Sequence, residues 1–217
     1  MPPELALLSF SSAMVAFFHT LLGPDHYLPF VIMSRTGKWS RSKTLAVTFF
    51  CGIGHVLGSI VIGSIGVAFG FAVTRLETVE SARGNVAAWA LITFGLVYFV
   101  WGMRKAAKQH THGGHRRLSE TSMVNYTPWI LFTIFVLGPC EPLIPLLMYP
   151  AAKASTTGLA LVVLIFLTVT VMTMLGTVLL LSTGVERLPI KRLERYTHAL
   201  AGATISLCGV AIRFLGL

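Results

Sequence analysis

Six long apolar stretches, separated by short polar segments, account for most of this 217-residue chain. A membrane-spanning helix needs about 20 mainly apolar residues, and each stretch is at least that long. The pattern therefore predicts an all-α, polytopic membrane protein with six transmembrane helices. The predicted spans cover residues 5–33, 44–73, 84–104, 126–152, 155–184 and 196–216.

Short internal similarities divide these spans into two units of three. The Gly-Pro-Asp-His at residues 23–26 recurs as Gly-Pro-Cys-Glu at 138–141, and two further matches follow in order. The three matches have offsets of 115, 118 and 114 residues. An odd number of spans per unit implies 3+3 inverted repeats. The two further matches pair residues 55–59 with 173–177, and Gly95 and Gly102 with Gly209 and Gly216. The predicted units are residues 1–105, a loop at 106–125, and residues 126–217.

The Gly-Pro motifs are also where the first and fourth helices should break. A proline removes one backbone hydrogen bond and clashes with the preceding turn of a helix. Irregular backbone near the bilayer centre survives only where it is buried in protein or lines a cavity. Broken helices at corresponding places in two inverted units therefore predict a transport site.

The composition agrees with a membrane protein and gives its expected orientation. Charged residues make up 12% of the chain, against about a quarter of a typical soluble domain. Thirteen of the seventeen Lys and Arg residues lie in the three segments that follow the first, third and fifth spans. By the positive-inside rule these segments are cytoplasmic and both termini lie outside the cytoplasm. We expect an inner (plasma) membrane location, with the first helix retained because it lacks a positive n-region and a cleavage site.

The net charge of +9 would suggest nucleic acid as a partner of a soluble chain. Because the basic residues here lie between apolar spans, where they set topology, we expect the lipid bilayer and no nucleic acid as partner. Small residues such as Gly52 and Gly58 allow close helix contact, either within one bundle or in a homo-oligomer.

Ionisable and thiol side chains cluster near the middle of three spans, counting about 1.5 Å per helical residue. An ionisable residue inside a membrane is by default a functional-site hypothesis. Imidazole and thiolate suit zinc, copper, cobalt or nickel, and carboxylates neutralise the charge of the ion. The predicted metal ligands are His19, Asp25, His26, Cys51, His55, Cys140 and Glu141.

Less specific interpretations of these residues stay open. His55 could satisfy a backbone carbonyl of a neighbouring helix, and the two carboxylates could pair with histidines in a structural network or a proton relay. Cys51 could be a small hydrophobe, as we expect for Cys208. The loop histidines His110, His112 and His115 indicate weak metal capture, or else a solvated basic loop.

The pattern of His19, Asp25-His26 and Gly54-His55 resembles the nickel/cobalt transporter family, which includes the UreH-like urease-accessory permeases. That family shares a His-x4-Asp-His signature in an early span, a Gly-His in the next, and often a histidine-rich cytoplasmic loop. In this chain five residues separate His19 from Asp25. The resemblance implies a secondary transporter whose substrate is a transition-metal ion, with nickel or cobalt favoured over zinc or copper.

A second resemblance supplies the alternative function. The segment at residues 138–142, with Pro145, is similar to the Pro-Cys…Pro segments of the CcdA/DsbD membrane thiol-electron carriers. Those carriers use one cysteine in each repeat, whereas this chain has Asp25 at the place that matches Cys140, which leaves Cys51 as the only available partner. The chain has no Gly-x4-Gly-Lys-Ser/Thr motif, so we expect no ATP hydrolysis. We expect a transporter and not an enzyme.

Overall fold

The computed structural model describes residues 3–70, 73–108, 120–153, 155–186 and 196–215. These residues form helices and no strand, as predicted for an all-α protein. The helices are α1 (Pro3–Leu22), α2 (Leu28–Thr36), α3 (Arg41–Ala68), α4 (Val73–Lys108), α5 (Glu120–Leu137), α6 (Leu143–Ala152), α7 (Thr156–Glu186) and α8 (Thr197–Leu215).

Five of these helices, α1, α3, α4, α7 and α8, are long and apolar enough to cross a membrane. The chain is therefore a multi-pass helical membrane protein. The predicted fourth span is divided between α5 and α6, and the apolar part of α5, Tyr126–Leu137, is too short to cross a bilayer alone.

Two predicted interruptions are present. After α1 ends, Pro24–His26 form a single 3-10 turn before α2 begins, and the second Gly-Pro motif separates α5 from α6. Pro128 and Pro150, in contrast, lie inside helices. The two breaks occur where glycine and several prolines fall within a few residues, so that more than one backbone hydrogen bond is lost together.

The third span differs from its prediction, because α4 begins at Val73 rather than near residue 84. Its first turns carry four charged residues. These charges lower the local mean hydropathy, so the sequence pattern placed the start of the span too late. Two of these charges, Glu80 and Arg83, hydrogen-bond to each other one turn apart, as (i, i+3) pairs on a helix do. The helix therefore continues through a segment that looked like a loop.

Helices α4 and α8 pack against each other with their backbones in direct contact. A Cβ atom on Gly202 would lie 2.2 Å from the Phe99 nitrogen, and one on Gly95 would lie 2.4 Å from the Ser206 nitrogen. Only glycine allows this approach, which is typical of helix packing in membranes.

Two apolar clusters form the core of the bundle. The first apolar cluster includes Phe30, Cys51, Leu131 and Phe135 and draws on α2, α3, α4, α5, α7 and α8. The second apolar cluster joins α1, α3, α6 and α7 to Cys140, at the α5–α6 break, and includes Ala16, Val56, Leu143 and Phe166. Exposed large apolar side chains, for example Phe10 and Phe50, cover the outer faces of the helices, as expected for surfaces that contact lipid.

Candidate metal-binding site

The break between α1 and α2 buries His26 and fixes its ring. The His26 side chain is 2% exposed, and its Nδ1 lies 3.2 Å from the Gly23 carbonyl oxygen. Asp25 Oδ1 is also 3.2 Å from this nitrogen, but it is buried without a hydrogen-bond partner. The Nδ1–H of His26 is therefore directed at the Gly23 carbonyl, and the Asp25 carboxylate forms an ion pair with the ring when the ring is protonated.

The break between α5 and α6 fixes His55 in a similar way. Within a helix the Phe135 carbonyl would accept from the nitrogen four residues later, but that residue is Pro139, which has no N–H. The carbonyl accepts instead from the Gly138 nitrogen at 3.0 Å and lies 3.3 Å from His55 Nδ1. His55 thus does satisfy a carbonyl of a neighbouring helix, through one of its two ring nitrogens.

The other ring nitrogens face each other, with His26 Nε2 and His55 Nε2 3.3 Å apart. A neutral imidazole has a proton on one nitrogen only, and here the carbonyl contacts assign that proton to Nδ1 in both rings. Two Nε2 lone pairs then point at each other and need a proton or a metal ion between them. Two nitrogens bound to one tetrahedral ion at 2.0–2.1 Å are separated by about 3.3 Å, which equals the distance in the structure.

Two more potential ligands lie beside this pair. One donor atom each from His19, His55 and Cys140 fall within 4.8 Å of one another. The His19 ring packs edge-on against His26 with centroids 5.0 Å apart, and its Nε2 is buried without a hydrogen-bond partner. Cys140 is fully buried. His19, His55 and Cys140 thus form a compact set of imidazole and thiol donors, which suits a borderline-soft transition metal, and His26 adjoins this set through its Nε2 contact with His55.

The carboxylates lie at the edge of this set, along a cavity of about 910 Å³. The cavity wall includes His19, Asp25, His26, His55 and Glu141, and continues past Ser81 and Asn85 to Arg213. Glu141 is exposed, whereas the Oδ1 atom of Asp25 is buried. The cavity connects the donor set to the protein exterior, and the two acids lie along that route.

The structure does not bring Cys51 to the group. Its side chain is 1% exposed and lies in the first apolar cluster among Phe30, Leu131 and Met174. Cys208 lies in the same cluster. Both therefore occupy places that suit a small hydrophobic residue. The predicted loop ligands His110, His112 and His115 lie outside the described residues.

Sequence reasoning missed a buried polar group next to Cys140. Glu80 and Ser59 are fully buried, and both accept a hydrogen bond from the Cys140 nitrogen, at 3.1 and 3.2 Å. Arg83 donates to the carbonyl oxygens of Val136 and Gly138. The one sequence signal for this group is the Glu-x-x-Arg spacing at residues 80–83, which is common on solvated helix faces.

No protein-family model, curated protein or solved structure matches this chain. The fold and the site therefore define its class, a multi-pass helical membrane protein with a buried cluster of histidine and cysteine side chains at two helix breaks.

Proposed function

We propose that this protein is a secondary transporter that moves a divalent transition-metal ion across the membrane through the site formed by His19, His26, His55 and Cys140. The observation that carries this proposal is the pair of facing Nε2 atoms of His26 and His55, 3.3 Å apart. In each ring the other nitrogen is engaged by a backbone carbonyl, the arrangement that orients histidine ligands in metal sites.

The neighbouring groups favour a metal ion over a proton as the bound cation. A proton shared by the two histidines would leave the buried Nε2 of His19 without a partner, whereas a metal ion accepts further donors. The thiol of Cys140 favours nickel, cobalt, zinc or copper over magnesium or calcium. Asp25 and Glu141 would partly neutralise the charge of the ion along the cavity, and the alternative of a structural or proton-relay network predicts no metal stoichiometry.

Helix packing supports the proposal of six spans arranged as 3+3 inverted repeats. If α1–α4 correspond to α5–α8 in order, contacts between helices should recur as counterparts. Several do, although among the described residues α4 contacts α5 without a comparable contact of α8 with α1. The contact of α1 with α7 corresponds to that of α5 with α3, and the contact of α2 with α7 to that of α6 with α3. The α4–α8 and α3–α7 contacts correspond to themselves. Broken helices at the interface of two such repeats are a common setting for a transport site.

The distribution of charge supports an orientation with both termini outside the cytoplasm of an inner (plasma) membrane. The cavity then reaches the site from the outer half, because Ser81 and Arg213 lie near the outer ends of α4 and α8. The first apolar cluster contributes Leu91, Ile134 and Phe135 to the wall of this cavity. A cavity that opens on the outer side is the arrangement of an outward-facing transporter.

Metal analysis of the purified protein tests the proposal. After exposure to Ni²⁺, Co²⁺ or Zn²⁺ and removal of excess ion, we expect close to one bound ion per chain, and uptake of the same ion into proteoliposomes. Asp25→Asn and Cys140→Ser should lower the bound fraction. A wild-type protein that binds none of these ions, or that transports none of them, contradicts the proposal.

A further inference from the structure

The most elaborate buried polar group outside the donor set is formed by Ser59 on α3 and by Glu80 and Arg83 on α4. We call these three residues the break clamp, because their hydrogen bonds meet at the α5–α6 break. Arg83 Nη2 donates to the carbonyl oxygens of Val136 at 3.0 Å and Gly138 at 2.8 Å. Glu80 Oε2 accepts from the Cys140 nitrogen at 3.1 Å and from Ser59 Oγ at 3.0 Å.

The break clamp satisfies the backbone groups that the interruption leaves without helical partners. The carbonyl oxygens at the end of α5 carry partial negative charge and accept hydrogen bonds from the Arg83 guanidinium. The Cys140 nitrogen, which precedes α6, donates to the Glu80 carboxylate. Glu80 and Arg83 also hydrogen-bond directly to each other. A buried ion pair is a poor source of stability, because desolvation of the charges offsets their attraction. Its hydrogen bonds instead fix the position of the backbone that they contact.

That backbone carries two parts of the donor set. Residues 135–140 supply both the carbonyl that orients His55 and the thiol of Cys140. The break clamp contacts this short segment at Val136, Gly138 and Cys140, and anchors it to α3 and α4. The clamp itself has no net charge, since Glu80 and Arg83 compensate each other, so it does not attract a cation by its field.

We infer that Ser59, Glu80 and Arg83 are positioning residues that hold the Cys140 thiol against His19 and His55, and that they thereby determine the preference of the site for thiophilic metals. This inference rests on the proposed function. It assigns no ligand role to the three residues, and it predicts that they change the coordination of the ion rather than its access to the cavity.

The test uses Co²⁺ bound to the purified protein, because a thiolate ligand gives Co²⁺ a near-ultraviolet charge-transfer band. The variants are Glu80→Gln, which keeps the shape and removes the charge, and Arg83→Lys, which keeps the charge and removes the guanidinium that joins Glu80, through Nη1, to the two carbonyls, through Nη2. Glu77→Gln and Arg75→Lys are matched controls, since both residues are exposed on the same helix. Ser59→Ala removes one hydroxyl and is the mildest variant. It tests the same inference if the Glu80 and Arg83 variants do not fold.

We expect Glu80→Gln and Arg83→Lys to lose most of the charge-transfer band and to weaken Co²⁺ binding by about 10–100-fold, as loss of the groups that orient metal ligands does. Ser59→Ala should shift the band in the same direction by less, and the two controls should match the wild type. The preference for Co²⁺ over Mn²⁺ should fall in the clamp variants.

The outcomes separate this inference from the proposed function. If folded clamp variants, Ser59→Ala included, keep the wild-type band and affinity while Cys140→Ser loses the band, the inference is wrong and the metal site stands. If the wild-type protein binds none of Ni²⁺, Co²⁺ and Zn²⁺, the proposed function is wrong. If the wild type binds Co²⁺ without a thiolate band, Cys140 is not a ligand and the inference is also wrong.

Discussion

His26 and His55 face each other with their Nε2 atoms 3.3 Å apart, although they are 29 positions apart in the chain. Each ring is held from behind by the carbonyl of a residue at a helix break, Gly23 for His26 and Phe135 for His55. The two Gly-Pro motifs thus act together, because the first break places one imidazole and the second break orients the other. A site of this kind depends on both helix breaks at once.

The first prediction concerns this pair. Replacing either His26 or His55 by Ala should weaken metal binding by more than about tenfold, because each removes a ligand of the same ion. The double variant should lose little more than either single variant, since residues that act through one shared ion are not additive. Titration calorimetry of the four proteins measures this cycle. His198→Ala is the control, because His198 belongs to α8 and its ring contacts Tyr98 and Lys105 on α4.

Additive losses in this cycle would mean that the two rings act separately, as in a structural network. Equal affinities in all four proteins would exclude the pair from any metal site.

The second prediction concerns the Asp25 carboxylate. Asp25→Asn keeps the size of the side chain but removes a negative charge 3.2 Å from His26 Nδ1. We expect metal uptake to fall by at least about tenfold, because an unbalanced cation in a low-dielectric site is costly. Proteoliposome flux measures the change. The matched control is Glu4→Gln, an exposed acid paired with Lys153, which should be neutral. Wild-type flux of every tested metal in Asp25→Asn would contradict the site assignment.

The breaks and several site residues could be predicted from the sequence because their causes are local. Proline removes a hydrogen bond wherever it falls, so the Gly-Pro motifs at residues 23–24 and 138–139 indicated both interruptions. An acid or a histidine is costly in the middle of an apolar span, so Asp25, His26 and His55 stood out without any knowledge of their neighbours.

The remaining parts depend on tertiary relationships that a sequence pattern does not contain. Arg83 bonds to carbonyls 53 and 55 residues away, and nothing in its own segment indicates these partners. Cys51 lies one turn from His55 and was predicted to join it. The two residues share one face of α3 but lie one turn apart along it, and at the level of Cys51 that face packs into the first apolar cluster.

The third prediction concerns the histidine-rich loop, which lies outside the described residues. Deleting residues 110–115 should raise the apparent KM for metal more than it lowers the maximal rate, because a capture loop raises the local ion concentration without touching translocation. Flux measured across a range of metal concentrations separates the two parameters. Complete loss of transport with normal membrane insertion would contradict a capture role.

The fourth prediction concerns the α4–α8 contact. Gly202→Ala should destabilise the protein by ~1–3 kcal/mol, since the added Cβ would overlap the Phe99 backbone. Gly176→Ala on α7 is the matched control, because nothing lies within 4 Å of its Cβ position and alanine is the better helix former. Thermal unfolding in detergent compares the two variants. Equal unfolding temperatures would contradict the close backbone contact.

The last prediction concerns the cysteines and separates transport from thiol-electron transfer. An electron carrier needs two thiols whose Cα atoms approach to about 4.4–6.8 Å and that cycle between dithiol and disulfide. All three cysteines are free, and Cys51 and Cys140 lie in different apolar clusters. We therefore expect Cys51→Ser to retain substantial metal flux, and Cys140→Ser to shift the preference of the site towards harder ions, because it replaces a soft donor beside His19 and His55.

The same two variants test the alternative directly. A carrier that has lost its resolving cysteine accumulates a mixed disulfide with its thioredoxin-like partner, and such an adduct can be trapped by acid quenching and detected by mass spectrometry. Because Cys140 lies among imidazoles and away from Cys51, we expect no adduct in either variant, and Cys208→Ser serves as the control for a buried cysteine outside the site. An adduct at Cys140 that accumulates only in Cys51→Ser would contradict the transporter proposal and support a membrane thiol-electron carrier, because it would show that the two thiols meet during the reaction.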